Sequence, residues 1–115
     1  MLAKKLRFHG HGSLRYLYKN ADTYRSRYYT LRITSNPKRS HPRCAVVVSK
    51  KTHKSAVGRN RMRRRTYEII RHELEAMNRP YDIAVIITSA EVITAPHSDL
   101  QASLQSLLLQ AGVYK

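Results

Sequence analysis

Eight of the sixteen residues in KKTHKSAVGRNRMRRR, positions 50 to 65, are lysine or arginine, and none is acidic. Cationic side chains at this density suit one kind of chemistry, the neutralisation of a polyanion. A solvated helical face normally mixes signs so that i, i+4 pairs support the helix; here Glu68 is the first acid to follow. Cations near a helix N-terminus also oppose the macrodipole, by about 0.3–1 kcal/mol each when exposed. A sequence that tolerates this is using the charges. The candidate for binding nucleic acid is this basic block, residues 50 to 65, as a whole. Asn60, set between two arginines, is either a local cap or a ligand for a phosphate, ribose or base edge.

Groups that could break bonds are sparse by comparison. The seven acids are scattered, and no pair has a spacing that suggests two-metal phosphodiester cleavage. His9, His11, His41, His53, His72 and His97 show no zinc pattern. Cys44 has no local base and lies in a strand-like run, which makes it a core thiol. The sequence offers no catalytic residue and no metal site, so the chain is expected to bind RNA or DNA and not to cut it.

The tyrosines add a second binding signal. Tyr16, Tyr18, Tyr24, Tyr28 and Tyr29 interleave with Arg15, Lys19, Arg25, Arg27 and Arg32. Rings beside cations can form a stacking floor for unpaired bases. A tyrosine can equally close the edge of a small core.

The whole chain repeats the pattern. Of 115 residues with net charge +15, positions 1–67 carry nineteen Lys/Arg against Asp22 alone, and 68–115 carry three against six acids. Cations spread over several elements fit nucleic acid, where each phosphate contact releases counterions. An anionic membrane could attract such a face, but charges distributed over several elements fit it less well than they fit a phosphate backbone. The length implies one domain over residues 1–115. No apolar run approaches the ~20 residues of a membrane span, the N-terminus reads as no secretory signal, and a single cysteine fits a reducing compartment. A cytoplasmic protein is expected.

The elements that must position these groups follow from periodicity. Ser13 is placed to cap a short helix carrying Leu14, Leu17 and Tyr18. YYTLRIT, 28–34, alternates, with Tyr29, Leu31 and Ile33 on one side and Tyr28, Thr30 and Arg32 on the other. CAVVVSK, 44–50, reads as a central strand and YDIAVIIT, 81–88, as a buried one. Between them a helix is expected from Ser55 or Arg59 to about Asn78, with Met62, Tyr67, Ile69, Ile70, Leu74 and Met77 clustered. Arg61, Arg64, Arg65, Arg71 and His72 project from its other side, and Arg59 and Arg63 lie at the apolar border. A final helix is expected to be capped by Ser98, to bury Leu100, Leu104, Leu107 and Leu108, and to stop at Gly112. This order implies an α/β two-layer sandwich with helices packed on a mixed sheet.

The stretch VVVSKKTHKSAVGRNRMRRR resembles the signature of the bacterial ribonuclease P protein family: a strand ending in Ser-Lys-Lys, a basic crossover, then Arg-Asn-Arg opening a helix. SLRYLYKNADTYRSRYYTL is similar to the family's N-terminal helix and following strand, RPYDIAVIIT to its last strand, and SLQSLLLQAGVYK to its closing helix. The resemblance implies that the basic helix rides on a left-handed βαβ crossover, against the general preference. It also implies a function: a subunit of the endoribonuclease that removes the 5′ leader of precursor tRNA. In that holoenzyme a catalytic RNA performs the chemistry with Mg²⁺, while the protein, a monomer in a 1:1 ribonucleoprotein, binds that RNA and the single-stranded leader. By position, the resemblance implies that Lys50, Lys51, Lys54, Arg59, Asn60, Arg61, Arg63 and Arg64 contact RNA and that Leu14, Tyr18, Tyr29 and Arg32 line the leader cleft. Leu14 stands where relatives carry Phe, Arg32 where they often carry an aromatic residue, Tyr67 in place of a common basic residue and Thr88 in place of an arginine. A structural ribosomal protein or an RNA chaperone would suit the size and charge equally, whereas a self-sufficient nuclease is disfavoured by the missing acid cluster.

Overall fold

A computed structural model describes residues 17, 19–36 and 40–114. The expected cap at Ser13 and the expected cleft residues Leu14 and Tyr18 lie outside them. The strands are β1 (Asp22–Arg25), β2 (Tyr29–Ser35), β3 (Arg43–Val48) and β4 (Tyr81–Ile87), with order β1-β2-β4-β3. Only β3 and β4 run parallel, joined through helix α1 (Ala56–Leu74); the other pairs are antiparallel. A short 3₁₀ turn, Ala90–Ile93, leads to helix α2 (His97–Ala111).

Alternation determines which side chains meet. Tyr29, Leu31 and Ile33 of β2 pair with Ile87, Val85 and Ile83 of β4, which in turn pair with Val48, Val46 and Cys44 of β3. This inner face is buried under Met62, Ile69, Ile70 and Leu74 of α1 and Leu100, Leu104, Leu107 and Leu108 of α2. The α2 set keeps the i, i+4, i+7, i+8 spacing of a single apolar stripe. α1 lies over β3, and α2 over β1 and β2. The mixed sheet with helices layered on it is the architecture the sequence implies.

Several expectations are corrected. β3 is an edge strand, not a central one. It reads as central because both its faces are covered: α1 packs on one side, and Leu17 clusters with Ala45 and Ala84 on the other. Its open edge is tied to α1 by Val46 N–H donating to Tyr67 Oη at 3.2 Å. α1 ends at Leu74, short of Asn78, because the following residues turn to meet the C-terminus; Met77 bridges Tyr114, and Asn78 N–H donates to Val113 O at 2.8 Å. The position before α2 belongs to Pro96, not Ser98. Its φ of −57° suits helix entry, and its carbonyl accepts from Asp99 and Leu100. Gly112 does end α2, in the left-handed conformation at φ 71°, where a side chain would be strained.

Cys44 is a core thiol, fully buried, and burial pushes its pKa far up. Folding therefore favours the neutral form. Below the unfolded-state pKa near 9 this has no effect on stability. Above it, the unfolded chain releases a proton the native chain keeps, and stability falls by about 1.4 kcal/mol per pH unit. Urea titrations of the wild type and Cys44→Ala between pH 8 and 10 check this: the steeper decline should belong to the wild type.

Candidate nucleic-acid interface

The basic segment is folded back on itself before α1 begins. Ser49 O accepts from the backbone N–H of Thr52 at 3.1 Å and of His53 at 3.3 Å, and Thr52 Oγ1 donates to Ile87 O at 3.4 Å. His53 Nδ1 accepts from Ser55 N–H, and Ser55 Oγ, as N-cap of α1, accepts from Gly58 N–H, both at 3.2 Å. Such a cap is worth about 1 kcal/mol. Gly58 permits a close approach here, since a Cβ would overlap the His53 ring. Arg59 Nη1 donates to the carbonyls of His53 and Lys54, each at 2.9 Å. These bonds turn Lys50, Lys51 and Lys54 outward, all exposed, beside the first turns of the helix.

Along α1 the two faces separate cleanly. Met62, Thr66, Ile69, Ile70, Glu73 and Leu74 are buried, while Val57, Asn60, Arg61 and Arg64 form the opposite stripe and are exposed. Arg59 and Arg63 are half-buried at the border, as their helical phase implies. Among the described residues, none of Lys50, Lys51, Lys54, Arg59, Arg61, Arg63 and Arg64 forms an ion pair. The acids that are paired lie elsewhere: Glu91 with Arg27 at 2.6 Å, Asp82 with Arg43 at 3.0 Å, and Glu68 with Arg71. Arg71 holds the Glu68 carboxyl below its usual range. α1 thus divides into a C-terminal half with compensated charge and an N-terminal half that is purely cationic. With no acid in its first turn, that half is repelled by its own dipole and is suited to meet external phosphates.

Arg65 is not part of that surface, contrary to expectation. Its Nη1 donates to Val92 O at 2.7 Å and Ile93 O at 2.9 Å, and its Nη2 to Ala95 O at 2.6 Å. It fastens α1 to the 3₁₀ turn. The signal that could distinguish it from Arg64 is absent from local sequence, because its partners lie 27 to 30 positions away.

Tyr29 is corrected too. It faces the core with no exposure, so its ring is not available to stack on a base. Its hydroxyl lies 3.1 Å from Thr66 Oγ1; since Thr66 donates to Met62 O at 2.9 Å, Tyr29 is the donor. Burial raises its pKa. Tyr28 is also buried, and Tyr24 packs against the same core. Tyr29→Phe is expected to lower stability by about 1 kcal/mol in denaturant titration and to leave RNA affinity unchanged. Arg32, by contrast, projects from the opposite face of the sheet, on the side of Leu17, and is half-buried. The structure therefore separates Tyr29 from Arg32 and places Arg25, which the cleft assignment omitted, on the same side as Arg32.

No three His, Cys, Asp or Glu among the described residues lie together in a way that could hold a metal ion. No described helix is long and apolar enough to cross a membrane.

Comparison with known proteins agrees with this geometry. A family model described as Ribonuclease P matches residues 2–112. The ribonuclease P protein component of Chloroflexus aggregans is 40% identical over 89 residues, 77% of this chain and 64% of that protein, so the chain spans less than two thirds of that relative. The ribonuclease P protein component of Pseudanabaena sp. (strain PCC 6903) is 34% identical over 98 residues, 84% of this chain and 83% of that protein. The RNase P protein of Staphylococcus aureus has the same fold, with a TM-score of 0.82 at 24% identity over 96% of this chain and 98% of that one. The uncompensated cationic helix, the sheet that carries it and these matches lead to one conclusion: the chain belongs to the ribonuclease P protein family.

Proposed function

We propose that this protein is the RNA-docking subunit of ribonuclease P, required for removal of the 5′ leader from precursor tRNA. The observation that carries the reading is the cationic surface of Lys50, Lys51, Lys54, Arg61, Arg63 and Arg64, which has no acidic partner among the described residues. Such a surface lowers the electrostatic barrier between two polyanions, the catalytic RNA and its substrate. In this account the bond is broken by the RNA, and Mg²⁺ is bound there. The other face of the sheet, with Arg32, receives the single-stranded leader. One protein serves one catalytic RNA, in the cytoplasm.

The test is reconstitution with a bacterial ribonuclease P RNA at low Mg²⁺. The expected result is accurate 5′ cleavage of precursor tRNA by the pair and none by the protein alone. Cleavage by the protein alone would contradict the reading. RNA binding without any gain in cleavage would favour an RNA chaperone or ribosomal role.

A further inference from the structure

The charge of the chain reverses along its length. From His72 to Tyr114 the acids Glu73, Glu75, Asp82, Glu91 and Asp99 stand against Arg79 alone. Arg43 neutralises Asp82, and Arg27 pairs with Glu91. Glu73 forms no ion pair among the described residues, although it is only 8% exposed. Its oxygens are held by neutral donors, Gln105 Nε2 at 2.9 Å and Tyr114 Oη at 2.7 Å. Each oxygen keeps a second lone pair. A carboxylate buried with neutral partners alone is costly, and a cation placed against it offsets that cost.

Glu73 lines a groove of about 440 Å³ between the end of α1 and α2, together with Ala102, Gln105, Ser106, Leu109 and Tyr114. The four residues from α2 follow i, i+3, i+4, i+7 spacing, so they form one uncharged stripe of that helix. Leu109, at 71% exposure, leaves most of its apolar surface in water.

These properties decide between occupants. The carboxylate repels phosphate, and α2 has no Lys or Arg, so the groove does not suit RNA. A free small molecule is poorly enclosed, because such ligands bury about 70–90% of their surface and this groove is open along Leu109. A second copy offering its basic helix would make a head-to-tail contact and cover the residues proposed to dock RNA. An arginine presented by a different protein meets every condition. Its planar fork matches the two carboxylate oxygens, and the segment that carries it supplies the remaining contact area.

We propose that this groove docks a basic segment of a partner protein, an arginine of which pairs with Glu73 while a neighbouring apolar side chain covers Leu109. None of the cations proposed to dock RNA lines the groove, so partner and RNA bind together.

The test titrates isotopically labelled full-length protein with a net-neutral helical peptide of about ten residues, carrying one arginine with a leucine at i+4. Amide NMR shifts are expected at Ala102, Gln105, Ser106, Leu109 and Tyr114, with a Kd of about 1 mM or tighter. Replacing the arginine with citrulline, which keeps the shape and drops the charge, should weaken binding about tenfold, as should Glu73→Gln. Leu109→Ser, a surface change that leaves folding intact, should weaken it about threefold. Both variants should bind ribonuclease P RNA as the wild type does, and the peptide should bind the assembled protein and RNA with equal affinity. Shifts confined to other residues, no shifts, or equal affinity for the citrulline peptide would overturn the inference. So would displacement of the peptide by RNA, which would make the groove an RNA contact. Binding of n-butylguanidinium as tight as that of the peptide would make it a small-molecule site and overturn the inference too. Self-association of the wild type that Glu73→Gln abolishes would assign the groove to a second copy instead.

Discussion

Glutamine at Arg61, Arg63 and Arg64 together is expected to weaken binding to ribonuclease P RNA by on the order of 10²–10³-fold near 0.1 M salt. The magnitude follows from counterion release. Each arginine that neutralises one phosphate contributes about 0.7–0.9 to the slope of log affinity against log salt, so three should remove two to three units. Arg61 and Arg64 are exposed, and Arg63 is half-buried at the border of the apolar stripe. None has an acidic partner among the described residues to leave behind. Folding should accordingly be unimpaired, and relief of like-charge repulsion at the helix start favours a small gain in stability. Filter binding at several salt concentrations measures the slope, and urea titration the stability. An unchanged slope would remove these side chains from the interface.

Arg65→Ala is expected to show the reverse, with stability lowered by about 3 kcal/mol and the salt slope unchanged. Three carbonyls of the segment from Val92 to Ala95 lose a charged donor, and bonds to charged groups contribute about 1.5–3 kcal/mol each without adding fully. The affected turn packs Val92 into the core, so its loosening reaches the interface between α1 and α2. Lysine should not rescue, because one ammonium cannot reproduce the fork that spans these carbonyls. Two neighbouring arginines, Arg64 and Arg65, are thus predicted to fail in opposite ways.

That contrast marks the limit of what local sequence could convey. Periodicity placed the apolar stripe of α1, the four buried leucines of α2 and the helix stop at Gly112, because each depends on neighbours within two turns. It also placed Tyr29 with Leu31 and Ile33, which is the core side. The cleft assignment of Tyr29 came from positional resemblance and ran against that alternation; the alternation was right. Strand order was not legible, since CAVVV has the same β-branched character whether it is central or an edge strand covered on both faces. β1 is not legible as a strand of its own because four residues with exposed ends carry too little alternation. The basic surface was legible as composition. Its division into free cations, the Arg59 clasp and the Arg65 tether was not, for it depends on where carbonyls distant in sequence come to rest.

Amide hydrogen exchange, followed with and without ribonuclease P RNA, tests the central claim most directly because it locates the docked surface. The account predicts slower exchange from residue 49 through the first half of α1, with α2 unchanged. Protection confined to α2, with the basic segment exchanging as freely as before, would contradict it.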